Sequence, residues 1–231
     1  MASPRRIAIA AGVLFLVTHV TSVGALVLYG PVLNSPDYVV GAGADARVLV
    51  GALLEVILAI AIVGTAVALF PVVKRENEGI ALGYVGLRTL EAATIVVGVC
   101  SLLAVVTLRQ QHAGSASTDT TSLVTVGTAL VAIHDWTFLV GPNFVLGTNT
   151  VLLALLLYRS RLVPRFIPIL GVIGGPLVFV VALGVLFGLY KQVSPIGAIA
   201  AVPAFAWELS LALWLIVKGF NPTGNARVEQ P

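Results

Sequence analysis

Six long runs of apolar residues dominate this chain and restrict the folds open to it. An α-helix of about 20 apolar residues crosses the hydrocarbon core of a bilayer. Hydrophobic residues make up 58% of the 231 residues and charged residues only 10%, far below the roughly 25% of soluble domains. The sequence therefore predicts an all-α polytopic membrane protein, a six transmembrane helix bundle with spans near residues 7–29, 48–70, 80–107, 137–158, 166–189 and 195–217.

The apolar runs lie close together and leave no room for a soluble domain. We expect one six-span membrane domain over residues 1–220 and a disordered cytoplasmic tail over 221–231. The run 7–29 is longer than the apolar region of a secretory signal, so we expect it to be retained. Residues 109–122 predict a mobile polar loop, and the apolar piece 123–133, too short to span, predicts a short extra helix before span four.

Lysine and arginine predict how the bundle is oriented, because cytoplasmic loops carry an excess of both. With the N-terminus inside, nine basic residues lie in the cytoplasm (Arg5, Arg6, Lys74, Arg75, Arg159, Arg161, Arg165, Lys218 and Arg227) and three lie outside (Arg47, Arg109 and Lys191). This distribution favours an N-in/C-in arrangement, with the lipid bilayer as partner. The chain has no basic stripe with interleaved aromatics that would indicate nucleic-acid binding. The oligomeric state stays open.

Four ionisable residues interrupt the apolar spans: Glu55, Arg88, Glu91 and Glu208. Each charge near the bilayer centre costs about 2.5–3.5 kcal/mol on insertion scales, so such residues usually face a partner in the protein interior. Arg88 is one helical turn from Glu91 and is predicted at the same depth as Glu208. One arginine cannot neutralise three carboxylates. At least one carboxyl must therefore be protonated, hydrated or paired with His19.

This excess of acid leaves three hypotheses open. In the first, the protein is an enzyme that isomerises or cyclises a lipophilic small molecule by proton transfer, with Glu55 or Glu208 as the acid. In the second, the same carboxyls bind a proton or a cationic solute in a small carrier or ligand-responsive protein. In the third, Arg88 and Glu91 belong to a hydrogen-bonded layer that fixes helix register in a structural subunit.

His134 and Asp135 open span four and are the candidate bases of the first hypothesis. Adjacent residues point about 100° apart on a helix, so the two do not form a self-contained dyad. Helix capping is the alternative role for Asp135. Trp136, Trp207 and Trp214 are predicted as an aromatic wall that stabilises cations. Their alternatives are the interfacial aromatic belt and ordinary helix packing.

Histidine placement predicts neither a metal site nor another cofactor. Metal or haem binding needs several convergent ligands, whereas His19, His112 and His134 are far apart and show no ligand spacing.

Four stretches carry a resemblance to a known family: LRTLEAA from Leu87, HDWTFLVGP from His134, LLYRSRLVPR from Leu156 and ELSLALWLIVKG from Glu208. Together they resemble the bacterial membrane family known as domain of unknown function 4386. The resemblance implies a six-span bundle in a bacterial plasma membrane and no assigned activity. It also implies that Arg88, Glu91, His134, Asp135 and Glu208 are shared positions.

Two departures from the family pattern bear on the site. Asn143 and Asn149 stand near the glycines of span four, where relatives often have small residues, and Arg161 stands where glycine is common. Asn143 is therefore a candidate binding residue particular to this protein.

Overall fold

A computed structural model describes residues 3–41, 45–113 and 119–221 of the chain. The α-helices in this part are α1 (Pro4–Leu28), α2 (Gly30–Asn34), α3 (Asp45–Val73), α4 (Glu78–Ala113), α5 (Thr120–Leu139), α6 (Leu146–Ser160), α7 (Phe166–Leu186) and α8 (Pro195–Val217). A 3₁₀ helix covers Pro36–Val39, and a π-helical turn, Val140–Val145, joins α5 to α6. Six helical segments are long and apolar enough to cross a membrane, as predicted, when α5 and α6 are counted as one.

Side-chain caps mark where several helices begin. Ser3 accepts a hydrogen bond from the Arg6 amide, and Ser194 accepts one from the Gly197 amide. Proline follows each serine, at a position where a helix needs no amide donor. Asp119 caps α5; hydrogen bonds from the Ser122 hydroxyl and the Thr121 amide hold the pKa of its carboxyl below the ordinary value.

The structure changes the picture around the predicted loop 109–122 and the short helix after it. Residues 109–113 continue α4, and residues 114–118 lie outside the described part of the chain. Residues 123–133 are helical, as expected, but they belong to α5 and run without interruption into the π-helical turn. Most of the predicted tail, 222–231, also lies outside the described residues.

The long helices form a closed ring. Along the chain α1 packs on α3, α3 on α4, α4 on α5 and α6, α6 on α7, and α7 on α8; α8 then returns to α1. The closing contact is tight: a Cβ at Gly12 would come within 2.7 Å of the Ala212 carbonyl oxygen. Arg5 Nη2 also donates to the carbonyl of Ile216 at 2.7 Å. We call this side of the bundle, where α1 begins and α8 ends, the terminal end.

Arg161 ends α6 in the left-handed conformation, with φ of 56°. Glycine reaches that conformation without the steric cost that other residues meet, and it commonly occupies the position after a helix. The positive φ therefore places Arg161 in a conformation that favours glycine. In this chain the Asn221 side chain donates to the Arg161 carbonyl at 3.1 Å.

Candidate functional site

Arg88 lies at the centre of a buried ion-pair network. Its Nη1 contacts Glu91 Oε2 at 3.1 Å, and its Nη2 contacts Glu208 Oε1 at 3.0 Å. The two pairings that the sequence left as alternatives therefore exist together. They arise because Glu91 is one turn along α4 and α8 places Glu208 at the same depth. Arg88 is 2% exposed, so its charge is matched by protein groups.

Further side chains complete this network. Tyr84 accepts a hydrogen bond from Arg88 Nε at 3.3 Å, and the guanidinium lies 5.5 Å from the centre of the Phe15 ring. Asn149 Nδ2 donates to Glu91 Oε2 at 2.7 Å. We call the group His19, Tyr84, Arg88, Glu91, Asn149 and Glu208 the Arg88 cluster. It connects four helices: α1, α4, α6 and α8.

His19 introduces a titratable contact at the edge of the Arg88 cluster. Its Nδ1 is 2.8 Å from the Phe15 carbonyl oxygen, which can only accept, so Nδ1 carries a hydrogen. Nε2 then faces Glu208 Oε2 at 4.0 Å. With neither group protonated, two electron-rich atoms face each other. A proton on either group would make the contact attractive.

A second polar group lies farther from the terminal end. The Tyr29 hydroxyl donates to Glu55 Oε2 at 2.9 Å, and the Tyr29 ring meets the His134 ring edge to face with centroids 5.6 Å apart. His134 is also close enough to Glu55 to interact electrostatically. We call Tyr29, Glu55 and His134 the Glu55 cluster. All three side chains are buried.

The two clusters lie at different levels along α4. A Cβ at Gly98 would be 3.4 Å from His134 Cδ2, so Gly98 marks the level of the Glu55 cluster. Ten residues separate Gly98 from Arg88, which corresponds to about 15 Å of helix axis. The Glu55 cluster therefore lies on one side of the Arg88 layer, away from the terminal end.

One cavity of about 400 Å³ connects the clusters. Its size is that of a small-molecule pocket. Its titratable lining residues are His19, Tyr29, Glu55, Arg88, Glu91, His134 and Glu208. Much of the remaining wall is apolar and includes Leu58, Ile95 and Val178. The cavity thus combines hydrocarbon-like walls with three carboxyls, one guanidinium and two imidazoles.

The proposed base Asp135 is not brought into this cavity. Its side chain is 60% exposed, and its Oδ1 lies 3.4 Å from His134 Nδ1. His134, by contrast, is buried and lines the cavity. The 100° between neighbouring helix positions explains the split, since α5 turns one side chain inward and the other outward.

The three tryptophans predicted as an aromatic wall also lie elsewhere. Trp136 is 54% exposed, Trp207 is buried in the apolar core at the terminal end, and Trp214 packs against that core. The packing and interface alternatives therefore describe them better. Aromatic contacts to the cavity come from Phe138 and Phe205, together with Tyr29.

Asn143 lines the cavity, but its side-chain amide donates a hydrogen bond to the backbone. Pro142 has no N–H to donate to the Phe138 carbonyl, the usual partner four residues back. Asn143 Nδ2 donates to that carbonyl instead, at 3.0 Å. The π-helical turn around them is the type of irregularity that often occurs at functional sites.

Sequence reasoning missed Tyr29, Phe15 and Asn149 as neighbours of the charged residues. A buried tyrosine or asparagine needs a hydrogen-bond partner, so Tyr29 at the end of span one and Asn149 inside span four were available signals. Choosing their partners requires the rotation of each helix about its axis, which only packing determines. In the described residues, no three His, Cys, Asp or Glu side chains converge as a metal site.

Comparison with known proteins gives a family and no activity. The model of the family described as "Domain of unknown function (DUF4386)" matches residues 10–219. The chain therefore belongs to that family, and the resemblance noted in the sequence is confirmed. No curated protein and no solved structure matches the chain.

Proposed function

We propose that this member of the DUF4386 family is a membrane-embedded enzyme that transfers protons within a lipophilic substrate. The supporting observation is one largely apolar cavity bordered by a neighbouring histidine and carboxyl, His19 and Glu208, and by a second carboxyl, Glu55. Apolar walls suit a hydrocarbon substrate, and positioned acids and bases supply general catalysis. The reaction class is isomerisation or cyclisation, which needs no oxidant and no cofactor.

Charge counting supports this assignment of roles. The Arg88 cluster contains one cation and two carboxylates, so one extra proton, on His19 or Glu208, makes it neutral. The Glu55 cluster has one carboxyl and one histidine and reaches neutrality with one proton as well. In the proposed reaction the Arg88 cluster releases this proton without breaking the ion pairs of Arg88, and Glu55 in the second cluster accepts one.

In the proposed reaction the pair His19–Glu208 gives its proton to one carbon of a substrate double bond. A C–H bond forms, and the neighbouring carbon becomes positively charged. Further double bonds of the substrate attack this cation in turn, each forming a C–C bond and moving the positive charge along the cavity towards Glu55, about 15 Å away along the bundle axis. Glu55, as a carboxylate, then removes a proton from the carbon next to the final cation, and a double bond forms. The substrate keeps its composition. Phe138, Phe205 and Tyr29, rather than the three tryptophans, present aromatic faces to the cation.

Deuterium exchange tests this proposal without a known substrate. The protein is reconstituted in vesicles of total lipid from its expression host, transferred to D2O, and the lipids are analysed by mass spectrometry. We expect the wild type to place deuterium on carbon in at least one lipid species. Glu208→Gln and Glu55→Gln should abolish incorporation while both variants remain folded. Full incorporation in both variants, or none in the wild type, would contradict the proposal.

A proton-coupled carrier is the second candidate function. The observation in its favour is the π-helical turn Val140–Val145, whose Pro142 and Asn143 border the cavity and where the helix α5–α6 departs from the α-helical hydrogen-bond pattern. The α5–α6 helix can bend at this turn. A carrier would move protons into proteoliposomes under a pH gradient, which an internal pH-sensitive dye records. An enzyme of the proposed kind would not.

We further propose a bacterial plasma membrane location with both termini in the cytoplasm. The helix order puts Arg5, Arg6, Lys74, Arg75, Arg159, Arg161, Arg165 and Lys218 at the terminal end and Arg47, Arg109 and Lys191 at the opposite end. Arg227 lies outside the described residues. This distribution agrees with the positive-inside rule. Labelling of single cysteines at the two ends in intact cells, in a Cys100→Ser background, tests the orientation.

A further inference from the structure

The cavity reaches the side of the bundle between α1 and α8. On α1, the lining residues Val23 and Leu26 are 55% and 45% exposed. On α8, Ala198 and Ala201 line the cavity and are exposed, and Phe205 is 49% exposed. Residues that border the interior and also face outward mark an opening. Because these residues belong to helices long and apolar enough to span a membrane, this part of the opening would face the hydrocarbon of the bilayer; the loop residues Gln192, Val193 and Ser194 border the same cavity at the end of the bundle opposite the termini.

The opening has a packing cause. Near the terminal end α1 and α8 are in close contact at Gly12, and the rings of His19 and Phe205 still meet with centroids 4.7 Å apart. Farther along, both helices border the cavity. The small side chains Ala198 and Ala201 leave the α8 edge unfilled. We call this edge, with Ser22, Val23 and Leu26 on the facing α1, the α1–α8 opening.

The polar lining of the cavity favours a positively charged guest. The single guanidinium, Arg88, is saturated by Glu91, Glu208 and Tyr84, so it has little capacity for an anionic ligand. Glu55 has a tyrosine hydroxyl as its hydrogen-bond partner, and no Lys or Arg of the described chain forms an ion pair with it. A carboxylate in an apolar cavity gains most from a cation that enters with its own apolar body.

We propose that the ligand of this cavity is a lipophilic molecule with an amine or another cationic group, and that it enters from the bilayer through the α1–α8 opening. The inference rests on the proposed function and names its substrate class. In the proposed complex the amine contacts Glu55, and the hydrocarbon part packs against the apolar wall of the cavity. The same carboxyl stabilises a substrate that becomes positive during proton transfer.

Photolabelling tests this route and this chemistry. The probe is a long-chain primary amine with a diazirine in its chain, added to vesicles that contain the full-length protein. Cross-linked residues are identified by mass spectrometry. We expect labels on cavity residues of α3 and α8, such as Leu58 and Ala204, and a several-fold loss of these labels in Glu55→Gln. A carboxylic acid with the same chain should label them several-fold less than the amine.

The entry route has a matched pair of variants on α8. Ala201→Trp places a large ring at the opening, whereas Val202→Trp places it on the neighbouring residue, which is 60% exposed and does not line the cavity. We expect Ala201→Trp to slow cavity labelling several-fold and Val202→Trp to leave it unchanged. Equal rates in the two variants would overturn lateral entry, and equal labelling by amine and acid would overturn the charge preference.

Failure of this inference is separable from failure of the proposed function. Photolabelling reports occupancy and needs no chemical turnover, whereas deuterium incorporation reports proton transfer to carbon. Labels confined to the outer surface, at residues such as Ile199 and Val202, would exclude amine binding even if deuterium is incorporated. Cavity labelling without any deuterium would retain the ligand class and contradict the enzyme.

Discussion

The Arg88 cluster and the Glu55 cluster border the same cavity, yet only in the Arg88 cluster are the buried carboxylates paired with an arginine. In the Arg88 cluster a guanidinium holds two carboxylates at 3.0 and 3.1 Å and ties α4 to α8. In the Glu55 cluster the carboxyl has a tyrosine hydroxyl and a nearby histidine. Paired buried charges fix how helices meet, whereas an acid without a cation costs stability for no structural gain. The comparison assigns structure mainly to Arg88 and chemistry mainly to Glu55.

The largest effect is expected from Arg88→Met. It leaves Glu91 and Glu208 buried without their cation, and breaking a buried pair by removing one partner costs about 3–5 kcal/mol. Thermal unfolding in detergent should show the largest loss of stability in the series. If Arg88→Met unfolds at the wild-type temperature, the structural role of the cluster is wrong.

A triple variant separates charge imbalance from lost packing. Because Arg88 pairs with two carboxylates, replacing only Arg88 and Glu208 by apolar residues would still leave Glu91 without its cation. Arg88→Met with Glu91→Leu and Glu208→Leu removes all three charges, and apolar replacement of a buried ion group is often neutral for stability. We expect it to recover most of the lost stability and to show no deuterium incorporation.

Asn149→Leu should give the next largest loss of stability. The Asn149 amide donates to Glu91 at 2.7 Å, and a hydrogen bond to a charged group contributes about 1.5–3 kcal/mol. The buried Asn149 Oδ1 has no hydrogen-bond partner, so removing it recovers part of this loss. Unfolding measurements should place Asn149→Leu between Arg88→Met and the Glu55 variants; a loss as large as that of Arg88→Met would contradict the order.

Glu55→Gln is expected to behave in the opposite way from the variants of the Arg88 cluster, with a small effect on stability and a large effect on function. Glutamine keeps an oxygen that accepts from Tyr29, so we expect the free energy of unfolding to change by less than about 1 kcal/mol. It removes the carboxyl, so deuterium incorporation and amine labelling should both fall strongly. Tyr29→Phe is the companion variant that keeps the carboxyl and removes the hydrogen bond, with an expected loss of about 0.5–1.5 kcal/mol. Loss of folding in Glu55→Gln would place Glu55 in the structural class with Arg88.

The two clusters also differ in how far the sequence predicts them. The Arg88 layer follows from helix geometry, because a rise of about 1.5 Å per residue puts Arg88 and Glu208 at one depth once the spans are known. Tyr29 and His134 meet Glu55 only because of how α1 and α5 rotate about their axes, and periodicity in long apolar helices barely encodes that rotation. The continuity of α5 and α6 depends on the turn at Pro142 and Asn143. The apolar run 123–133, which belongs to α5, looked too short to span because the sequence alone does not show this continuity.

The smallest effect is expected from Asp135→Asn, and it tests whether the Glu55 cluster extends to the surface. Asp135 is 60% exposed and touches His134 only through Oδ1 and Nδ1, at 3.4 Å. If His134 acts by itself, the variant should retain wild-type stability and deuterium incorporation, whereas His134→Ala should lose incorporation. A shifted pH profile of incorporation in Asp135→Asn would instead mean that the exposed carboxylate orients the imidazole, as a carboxylate partner does for many functional histidines. The cavity would then have a proton path to water at the end of the bundle opposite the termini.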